Sequence, residues 1–218
     1  MAKNQSTEDY IKSIYKLEKY GKSVSTSDLA RYLKIGDGSV TDMIKKLSAK
    51  KLIQYKPYRG VSLTDAGRRL ALRMVRRHRL WEMFLVRFLG YKWNEIHDEA
   101  ERLEHVTSDE MELRLDKALG YPKVDPHGDP IPDDNGELES LEYTPLSEFD
   151  IGSTVRIIRV SDDYPDVLQH STELGLSLNK KITVKKKMTF DGSMVVRVGP
   201  KEQFISKQVA DAIFVQVV

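Results

Sequence analysis

The segment from His97 to His105, HDEAERLEH, carries the side chains of this chain that are best suited to chemistry. On a helix, its two histidines and two of its glutamates fall on one stripe, because side chains three, four, seven or eight residues apart share a face. Such a stripe does not pack as an apolar core, so it either faces solvent as an acidic surface or converges on a cation. The candidate ligands are His97, Glu101, Glu104 and His105.

Further potential ligands precede this segment. His78 and Glu82 are four residues apart, and Asp9 lies in a predicted N-terminal helix. Imidazoles and carboxylates suit Mn²⁺, Fe²⁺, Co²⁺, Ni²⁺ or Zn²⁺, and the excess of hard carboxylate oxygen favours Mn²⁺. The chain contains no cysteine, which excludes disulfides, thiolate catalysis and cysteine-based zinc sites. Since His78 follows Arg77, a phosphate contact is its alternative role.

The elements that would position these ligands begin with a helix-turn-helix pattern. Apolar residues at helical spacing predict a helix over Thr7–Tyr20. A second helix is expected from Ser25 or Thr26, and a third from about Ser39 after a glycine-containing turn. Two alternating runs between residues 52 and 63 then predict a short hairpin, or wing.

The charge distribution favours a nucleic-acid contact in this part of the chain. Between Arg31 and Arg79 there are 14 Lys and Arg against 3 Asp, whereas Leu80 to Asp150 holds 19 Asp and Glu against 6 Lys and Arg. A basic block beside an acidic block indicates a polyanion contact next to a cation-binding region. Ordinary charged helix faces are the alternative interpretation.

Candidate DNA-contacting residues lie on the third helix and at the tip of the wing. The N-terminal residues of a recognition helix face base edges, and hydroxyls and lysines can bind phosphates. Because phosphate repels a carboxylate, Asp42 either accepts from a cytosine amino group or points away. Winged helices also serve protein–protein contact. The candidates are Ser39, Thr41, Asp42, Lys45, Lys46, Tyr58 and Arg59.

The remaining pattern predicts a mainly α chain with a β-rich tail. A long basic helix is expected over residues 64–90, followed by two helices that are separated near residues 106–108. The Pro-, Gly- and Asp-rich stretch 120–149 predicts a linker or extended loop, and the tail predicts a small β-barrel with one short helix. Because no apolar run reaches about 18 residues and no signal segment is evident, we expect a cytoplasmic protein.

Several separated motifs carry a resemblance to a known family. STEDYIKSIYKL, RRHRLWEMFL, HDEAERLEH, VTSDEME and DPHGDPIP occur in the order typical of the diphtheria-toxin-repressor family of metal-dependent regulators. The similarity spans residues 5–140, and the tail is similar in texture to the family's SH3-like, FeoA-type domain. The resemblance implies a winged helix-turn-helix DNA-binding domain over 1–74, a helical dimerisation and metal-binding domain over 75–140, a linker over 141–150 and the SH3-like domain over 151–218.

The resemblance also implies a function and two ligand sets. It implies a homodimer that binds palindromic operator DNA when loaded with a divalent cation, with repression of metal uptake as the expected outcome. The primary site would use Asp9, Glu101, Glu104 and His105. The ancillary site would use His78, Glu82 and His97, completed by a C-terminal group among Asp162, Asp163, Asp166, Gln169, His170 and Glu173.

The choice of metal follows from two of these positions. In the family's iron-sensing branch, Met and Cys hold the positions of Asp9 and Glu101, whereas the manganese-sensing branch has carboxylates there, as this chain does. Two departures stand out. Lys12 replaces a glutamate of the manganese regulators that lack a third domain, which argues against a closely spaced pair of ions. Asp125 replaces the usual cysteine before the PHG motif, a change that we expect to be harmless.

Other classes of protein are less consistent with the sequence. It has no H-E-x-x-H motif, no pair of E-x-x-H motifs, no P-loop and no G-x-G-x-x-G. We therefore do not expect an enzyme or a small-molecule substrate. The alternatives that stay open are an iron-responsive regulator of the same fold, with Zn²⁺ and Co²⁺ as further candidate ions, and a metal-independent winged-helix regulator.

Overall fold

The computed structural model describes residues 2–18, 23–57, 59–139, 142–163 and 165–218. The chain divides into two compact units, which are described separately. The first contains Met1–His78, Glu101–Arg114 and Pro132–Leu138, and the second contains Arg79–Ala100, Leu115–Ile131 and Glu139–Val218. Among the described residues, no helix is long and apolar enough to cross a membrane.

The first unit opens with the predicted winged helix-turn-helix, which is confirmed. Ser25 caps the second helix, because its Oγ accepts a hydrogen bond of 3.0 Å from the backbone N–H of Asp28. The third helix begins at Asp37, two residues before the predicted start, since the extended backbone of Gly36 serves as its N-cap. The elements are α1 (Ala2–Glu18), α2 (Thr26–Leu33), α3 (Asp37–Ala49), β1 (Ile53–Lys56) and β2 (Gly60–Leu63), with β1 and β2 antiparallel.

The core of this winged helix joins α1 to α3. Its buried apolar side chains include Ile11 and Ile14 of α1 and Val40, Ile44 and Leu47 of α3. Side chains in such a core interdigitate at crystal-like density, so one helix cannot shift without disturbing the other. The position of α1 therefore sets the position of α3.

Three further helices complete the helical part of the chain. The predicted break near residues 106–108 is observed, because α5 ends at Glu104 and α6 begins at Asp109. The arginine run of α4 is partly paired with α6: Nε of Arg76 and Nε of Arg77 lie 3.1 and 2.8 Å from the carboxylate of Glu112. These guanidinium groups are buried and turned away from solvent. The helices are α4 (Asp65–Leu89), α5 (His97–Glu104) and α6 (Asp109–Leu119).

The second unit contains the predicted β-rich tail. Its sheet has six antiparallel strands in the order β3-β8-β4-β5-β6-β7, and their alternating apolar side chains enclose one core. The short helix predicted near residues 166–175 is α7. The elements are β3 (Thr144–Pro145), a 3-10 turn (Leu146–Glu148), β4 (Thr154–Val160), α7 (Pro165–Glu173), β5 (Lys181–Lys187), β6 (Met194–Val198), β7 (Lys201–Ile205), α8 (Lys207–Ala212) and β8 (Ile213–Val217).

The Pro- and Gly-rich loop of the second unit is packed rather than extended into solvent. Asp125, His127 and Asp129 are only 1 to 2% exposed. Arg159 of β4 reaches the Asp129 carboxylate at 3.0 Å. Gly128 has φ +91° and lies so close to β4 that an added Cβ would meet the carbonyl oxygen of Ile158 at 2.1 Å. The composition predicted irregular backbone correctly, but it did not reveal that buried ion pairs hold this loop on the sheet.

Candidate metal centre

A cluster of potential ligands joins α1 to the end of α5 within the first unit. Asp9, Glu101 and His105 each present one donor atom, and these atoms all lie within 4.8 Å of one another. Asp9 comes from the first helix of the winged head, whereas the other two residues lie 92 and 96 positions further along the chain. The structure therefore brings together three of the four residues predicted for the primary site.

His105 is held between two carboxylates. Its Nε2 lies 2.8 Å from Oδ1 of Asp9, and its Nδ1 lies 2.7 Å from Oε2 of Glu8. Burial alone would lower the pKa of His105, but the contacts with Asp9 and Glu8 and the charge of Glu104 raise it to about 9. The sequence analysis did not identify Glu8, although an acidic residue next to Asp9 in the sequence was a signal for it.

The donor set of this centre fits a divalent cation. Among the described residues, the buried Nε2 of His105 finds no hydrogen-bond partner of normal geometry, although it lies beside the Asp9 carboxylate. A carboxylate that holds the other ring nitrogen, as Glu8 does, is the usual second-layer support of a metal-bound histidine. Two carboxylates and an oriented imidazole together suit a hard to borderline divalent ion.

Glu104, the fourth predicted residue, is engaged differently. It is fully buried, and both of its carboxylate oxygens lie within 2.8 Å of Nζ of Lys12. The same ammonium donates to Oε2 of Glu101 at 2.7 Å. Oε1 of Glu104 is 3.7 Å from Nε2 of His105, so Glu104 borders the cluster without joining the set of mutually close donors.

The predicted ancillary residues fall in both compact units. His78 belongs to the first unit, where its Nδ1 lies 2.5 Å from Oε2 of Glu104. Glu82 and His97 belong to the second, where Nδ1 of His97 is 3.8 Å from Oε1 of Glu82. The ancillary set as a whole stays a prediction.

The second unit holds a further ligand cluster that the sequence analysis did not assemble. Glu82, Asp125 and His127 present donor atoms within 4.8 Å of one another, and all three residues are buried. Asp125 therefore contributes a carboxylate to a buried polar cluster, and the expectation that its substitution for cysteine is harmless stays a prediction. A signal was available, because Asp and His two residues apart in the DPHG loop are both metal-ligand types.

The orientation of His127 directs one bare nitrogen into this cluster. Its Nε2 lies 2.7 Å from the carbonyl oxygen of Trp93, which requires Nε2 to carry the proton. Among the described residues, Nδ1 has no hydrogen-bond partner, and it is 3.9 Å from Oε2 of Glu82. Burial would lower the pKa of His127, but the charges of Glu82, Asp125 and Asp162 raise it.

The charges of this cluster are compensated in part by Arg79, whose Nε lies 3.3 Å from Oδ2 of Asp125. Burial and the charge of Asp129 raise the pKa of Asp125, and the guanidinium of Arg79 opposes this only in part. Of the predicted C-terminal candidates, Asp162 adds negative charge here, whereas Gln169 and His170 contact Glu173 and are exposed. Two buried carboxylates and an imidazole whose Nδ1 has no hydrogen-bond partner among the described residues are donors of the types that divalent ions bind.

The predicted DNA-contacting residues of α3 share its solvent-exposed face. Thr41 donates its hydroxyl proton to the carbonyl oxygen of Asp37 at 2.9 Å, and the Asp42 carboxylate lies 3.7 Å from Nζ of Lys45. Arg59 is exposed at the wing, and Tyr58 lies outside the described residues. A groove lined by Asp9, Ser39, Asp42 and Lys46, among others, places the α1 ligand beside this face. The exposed residues of this face are Ser39, Thr41, Asp42, Lys45 and Lys46.

Comparison with protein-family models covers most of the chain. Residues 4–61 match the N-terminal DNA-binding domain of the iron-dependent repressors. Residues 64–133 match their metal-binding and dimerisation domain, and residues 144–217 match the FeoA domain.

Individual relatives and solved structures agree with these matches. The iron-dependent repressor IdeR of Mycobacterium leprae (strain TN) is 31% identical over 193 residues, which cover 83% of this chain and 84% of that protein. A manganese-dependent transcriptional repressor solved in complex with manganese is 37% identical, with a TM-score of 0.85, over 97% of this chain and 100% of its own. ScaR with bound Zn²⁺ is 35% identical, with a TM-score of 0.81, and the match covers 97% of this chain and 99% of that chain.

Proposed function

The chain belongs to the iron-dependent repressor family of metal-dependent, DNA-binding transcriptional regulators, and from this we propose that it is a manganese-responsive repressor. We further propose that it binds palindromic operator DNA as a dimer when a divalent cation occupies the centre formed by Asp9, Glu101 and His105. The observation that carries the proposal is the convergence of these three donors, from α1, from α5 and from the residue that follows α5.

The link from ligand to DNA runs through α1. Asp9 lies on one side of this helix, while Ile11 and Ile14 pack in the core shared with α3. When bound, a divalent cation supplies the positive charge that holds the carboxylates of α1 and α5 together. The contact between Asp9 and the cation then favours one position of α1. Because α1 and α3 share a core, it also favours one position of α3. A ligand can shift the equilibrium between two arrangements only by as much as its affinities for the two arrangements differ.

The ligand chemistry favours Mn²⁺ over the other candidates. The centre offers carboxylate oxygens and one imidazole, the chain has no cysteine to add a thiolate, and such hard donors suit Mn²⁺ better than softer ions. Relatives named for iron and for manganese both match the chain, so ion choice rests on these ligands. Fe²⁺ is the second candidate, because it accepts the same donors.

Domain roles follow the predicted division of the chain. We assign DNA binding to residues 1–74, with the exposed face of α3 and the wing residue Arg59 against DNA, and dimerisation and metal binding to residues 75–140. A dimer presents two recognition helices to half-sites about one DNA turn, roughly 34 Å, apart. A linker was predicted over residues 141–150, but residues 144–148 form β3 and the 3-10 turn, and β3 pairs with β8 in the sheet of the second unit. The SH3-like domain, predicted over 151–218, supplies Arg159 to the buried network of this unit.

Removal of the metal tests the proposed function directly. Operator binding of the purified protein is expected to fall to the nonspecific level in EDTA and to return when Mn²⁺ is added. Affinity is measured by fluorescence anisotropy against an operator duplex and a scrambled duplex at fixed salt, because phosphate contacts make all such affinities salt-dependent. Parallel anaerobic titrations with Fe²⁺ and Zn²⁺ rank the ions.

Two results of this experiment would count against the proposal. Operator binding that is equal in EDTA and in Mn²⁺ would identify a metal-independent regulator. A response to Fe²⁺ at a lower free concentration than to Mn²⁺ would assign the chain to iron instead.

We also propose that Glu82, Asp125 and His127 bind a second cation in the second unit. Replacing His127 with alanine removes the bare Nδ1 from this cluster and is expected to lower the number of Mn²⁺ ions bound per chain by about one. Stoichiometry is measured by equilibrium dialysis followed by elemental analysis. Glu202→Ala is the control, because Glu202 is exposed on β7 and belongs to no predicted ligand set. An unchanged ion count in His127→Ala protein that retains its circular dichroism spectrum would rule out this second site.

A further inference from the structure

Positive charge is concentrated in one part of the sheet of the second unit. Residues 180–202 hold seven Lys and Arg against two Asp and Glu, whereas the rest of the stretch 151–218 holds three against five. Both acidic residues of the segment are engaged locally. Asp191 accepts hydrogen bonds from the backbone N–H and the hydroxyl of Ser193, and Glu202 lies 3.4 Å from Nη2 of Arg197. Both carboxylates therefore have partners other than the lysines of β5.

The strand register places three cationic side chains on the outer face of this sheet. Buried apolar side chains of β5 alternate with side chains that point away from the core. Arg156 of β4 is the direct partner of Lys181 of β5, and beyond a bulge Lys186 is the partner of Val195 on β6. Lys181 and Lys186 are exposed, and Arg156 is half-buried. We call Arg156, Lys181 and Lys186 the basic face.

The charges of the basic face are not offset within the unit. Arg156 and Lys181 lie opposite each other across two strands, and like charges in that position repel and destabilise a sheet. In the part of the chain that the structure describes, no residue of the basic face forms an ion pair. Other surface cations of the unit do, as Lys207 does with Asp211. An anion from outside the unit would therefore be favourable at this face.

The chemistry of the face and of the rest of the chain favours the phosphates of DNA as that anion. Lysine binds phosphate as a compact point charge, without the fixed geometry that a specific base contact requires. The chain also carries its own means of bringing DNA near, because residues 4–61 match a DNA-binding domain. A duplex that is already held by one part of a chain reaches a high effective concentration at another part, so that individually weak contacts suffice.

We propose that the basic face of the second unit is an additional DNA contact, which binds the phosphate backbone of a duplex held by the winged head. This inference rests on the proposed function, because the head must first hold the DNA. The basic face adds affinity that depends on salt and not on sequence. Operator recognition stays with the exposed face of α3.

Replacing the three cations with glutamine tests the proposal, because glutamine removes each charge and keeps a polar side chain. The variant combines Arg156→Gln, Lys181→Gln and Lys186→Gln and is titrated with DNA in saturating Mn²⁺. Each phosphate contact adds about 0.9 to the slope of log affinity against log salt, so the slope should become shallower by about 2.7. Between about 50 and 200 mM salt, the wild type should lose roughly 40-fold more affinity than the variant.

Two further readouts separate a phosphate contact from a structural effect. The change in slope should be the same on an operator duplex and on a scrambled duplex, because phosphates carry no sequence information. Without DNA and at low salt, the melting temperature of the variant should not fall, because the substitutions remove the repulsion between Arg156 and Lys181.

A matched control removes the same number of charges elsewhere in the second unit. It combines Lys117→Gln, Lys123→Gln and Lys207→Gln, which are exposed positions outside the basic face. This control variant has the same net charge as the face variant and should keep the salt slope of the wild type.

The outcomes distinguish the inference from the proposed function. Wild-type protein that prefers the operator no more than the scrambled duplex in Mn²⁺ would defeat the proposed function, and the slopes on the scrambled duplex would still test the basic face. Equal slopes for the wild type and the face variant, or equal changes in the face and control variants, would overturn the inference. Equal slopes together with binding of a polyglutamate peptide by the wild type alone would assign the face to an acidic protein segment instead.

Discussion

Replacing Asp9 with alanine is expected to abolish the metal-dependent gain in operator affinity while leaving the chain folded. Asp9 is the contribution of α1 to the centre, and its Oδ1 lies 2.8 Å from Nε2 of His105. Its side chain is one-third exposed, so its loss leaves no cavity in the core. Allosteric couplings of about 1–3 kcal/mol correspond to roughly 5- to 150-fold in affinity. The Mn²⁺-dependent gain should therefore fall from this range to about one.

The measurement is an operator titration with and without Mn²⁺. Two further variants are measured for comparison. Glu8→Ala removes the carboxylate that holds Nδ1 of His105, so the concentration of Mn²⁺ required should rise by about 10- to 100-fold while the maximal gain persists. Glu110→Ala alters an exposed carboxylate of α6 and should behave as the wild type. Asp9→Ala protein that still gains operator affinity with Mn²⁺ as the wild type does would refute the α1 link.

Glu112→Ala is expected to lower the free energy of unfolding of the first unit much more than removal of an exposed carboxylate does. The Glu112 carboxylate accepts hydrogen bonds from Nε of Arg76 and Nε of Arg77. All three side chains are no more than 10% exposed. Removing the carboxylate leaves two guanidinium groups buried with less compensation. Breaking a buried ion pair from one side costs about 3–5 kcal/mol, so the free energy of unfolding should fall by about that amount.

Glu110, on the same helix, provides a matched control for this prediction. Its contact with Arg114 has a comparable length of 2.7 Å, but both side chains are about three-quarters exposed. Solvent screens such a pair, so Glu110→Ala should change the urea denaturation midpoint very little. Equal effects of the two substitutions would show that the α4–α6 network does not depend on burial.

The local patterns of the sequence predicted the fold and one face of the candidate centre well. Helical spacing predicted α1 and the stripe that holds Glu101 and His105, and Ser25 acts as the predicted helix cap. These features depend on interactions within one or two helical turns. The convergence of Asp9 with that stripe came from resemblance to a family, because no local rule connects residues 92 positions apart.

Some features of the two units depend on tertiary packing and were not predicted. Asp125 and His127 lie in a stretch whose composition is typical of an exposed linker, yet an arginine from β4 and a tight glycine contact bury it. Lys12 was noted as a departure from a pattern, but the sequence did not show that its ammonium reaches Glu104. Long side chains that cross between helices are decided by the geometry of packing, which sequence spacing does not contain.

The ligand clusters of both units consist of carboxylates and imidazoles, and the chain contains no thiol. Peroxide oxidises metal-binding cysteines through sulfenic acid to species that no longer bind the ion, whereas Asp, Glu and His have no equivalent reaction under mild conditions. Neither cluster therefore contains a ligand that thiol oxidation could convert.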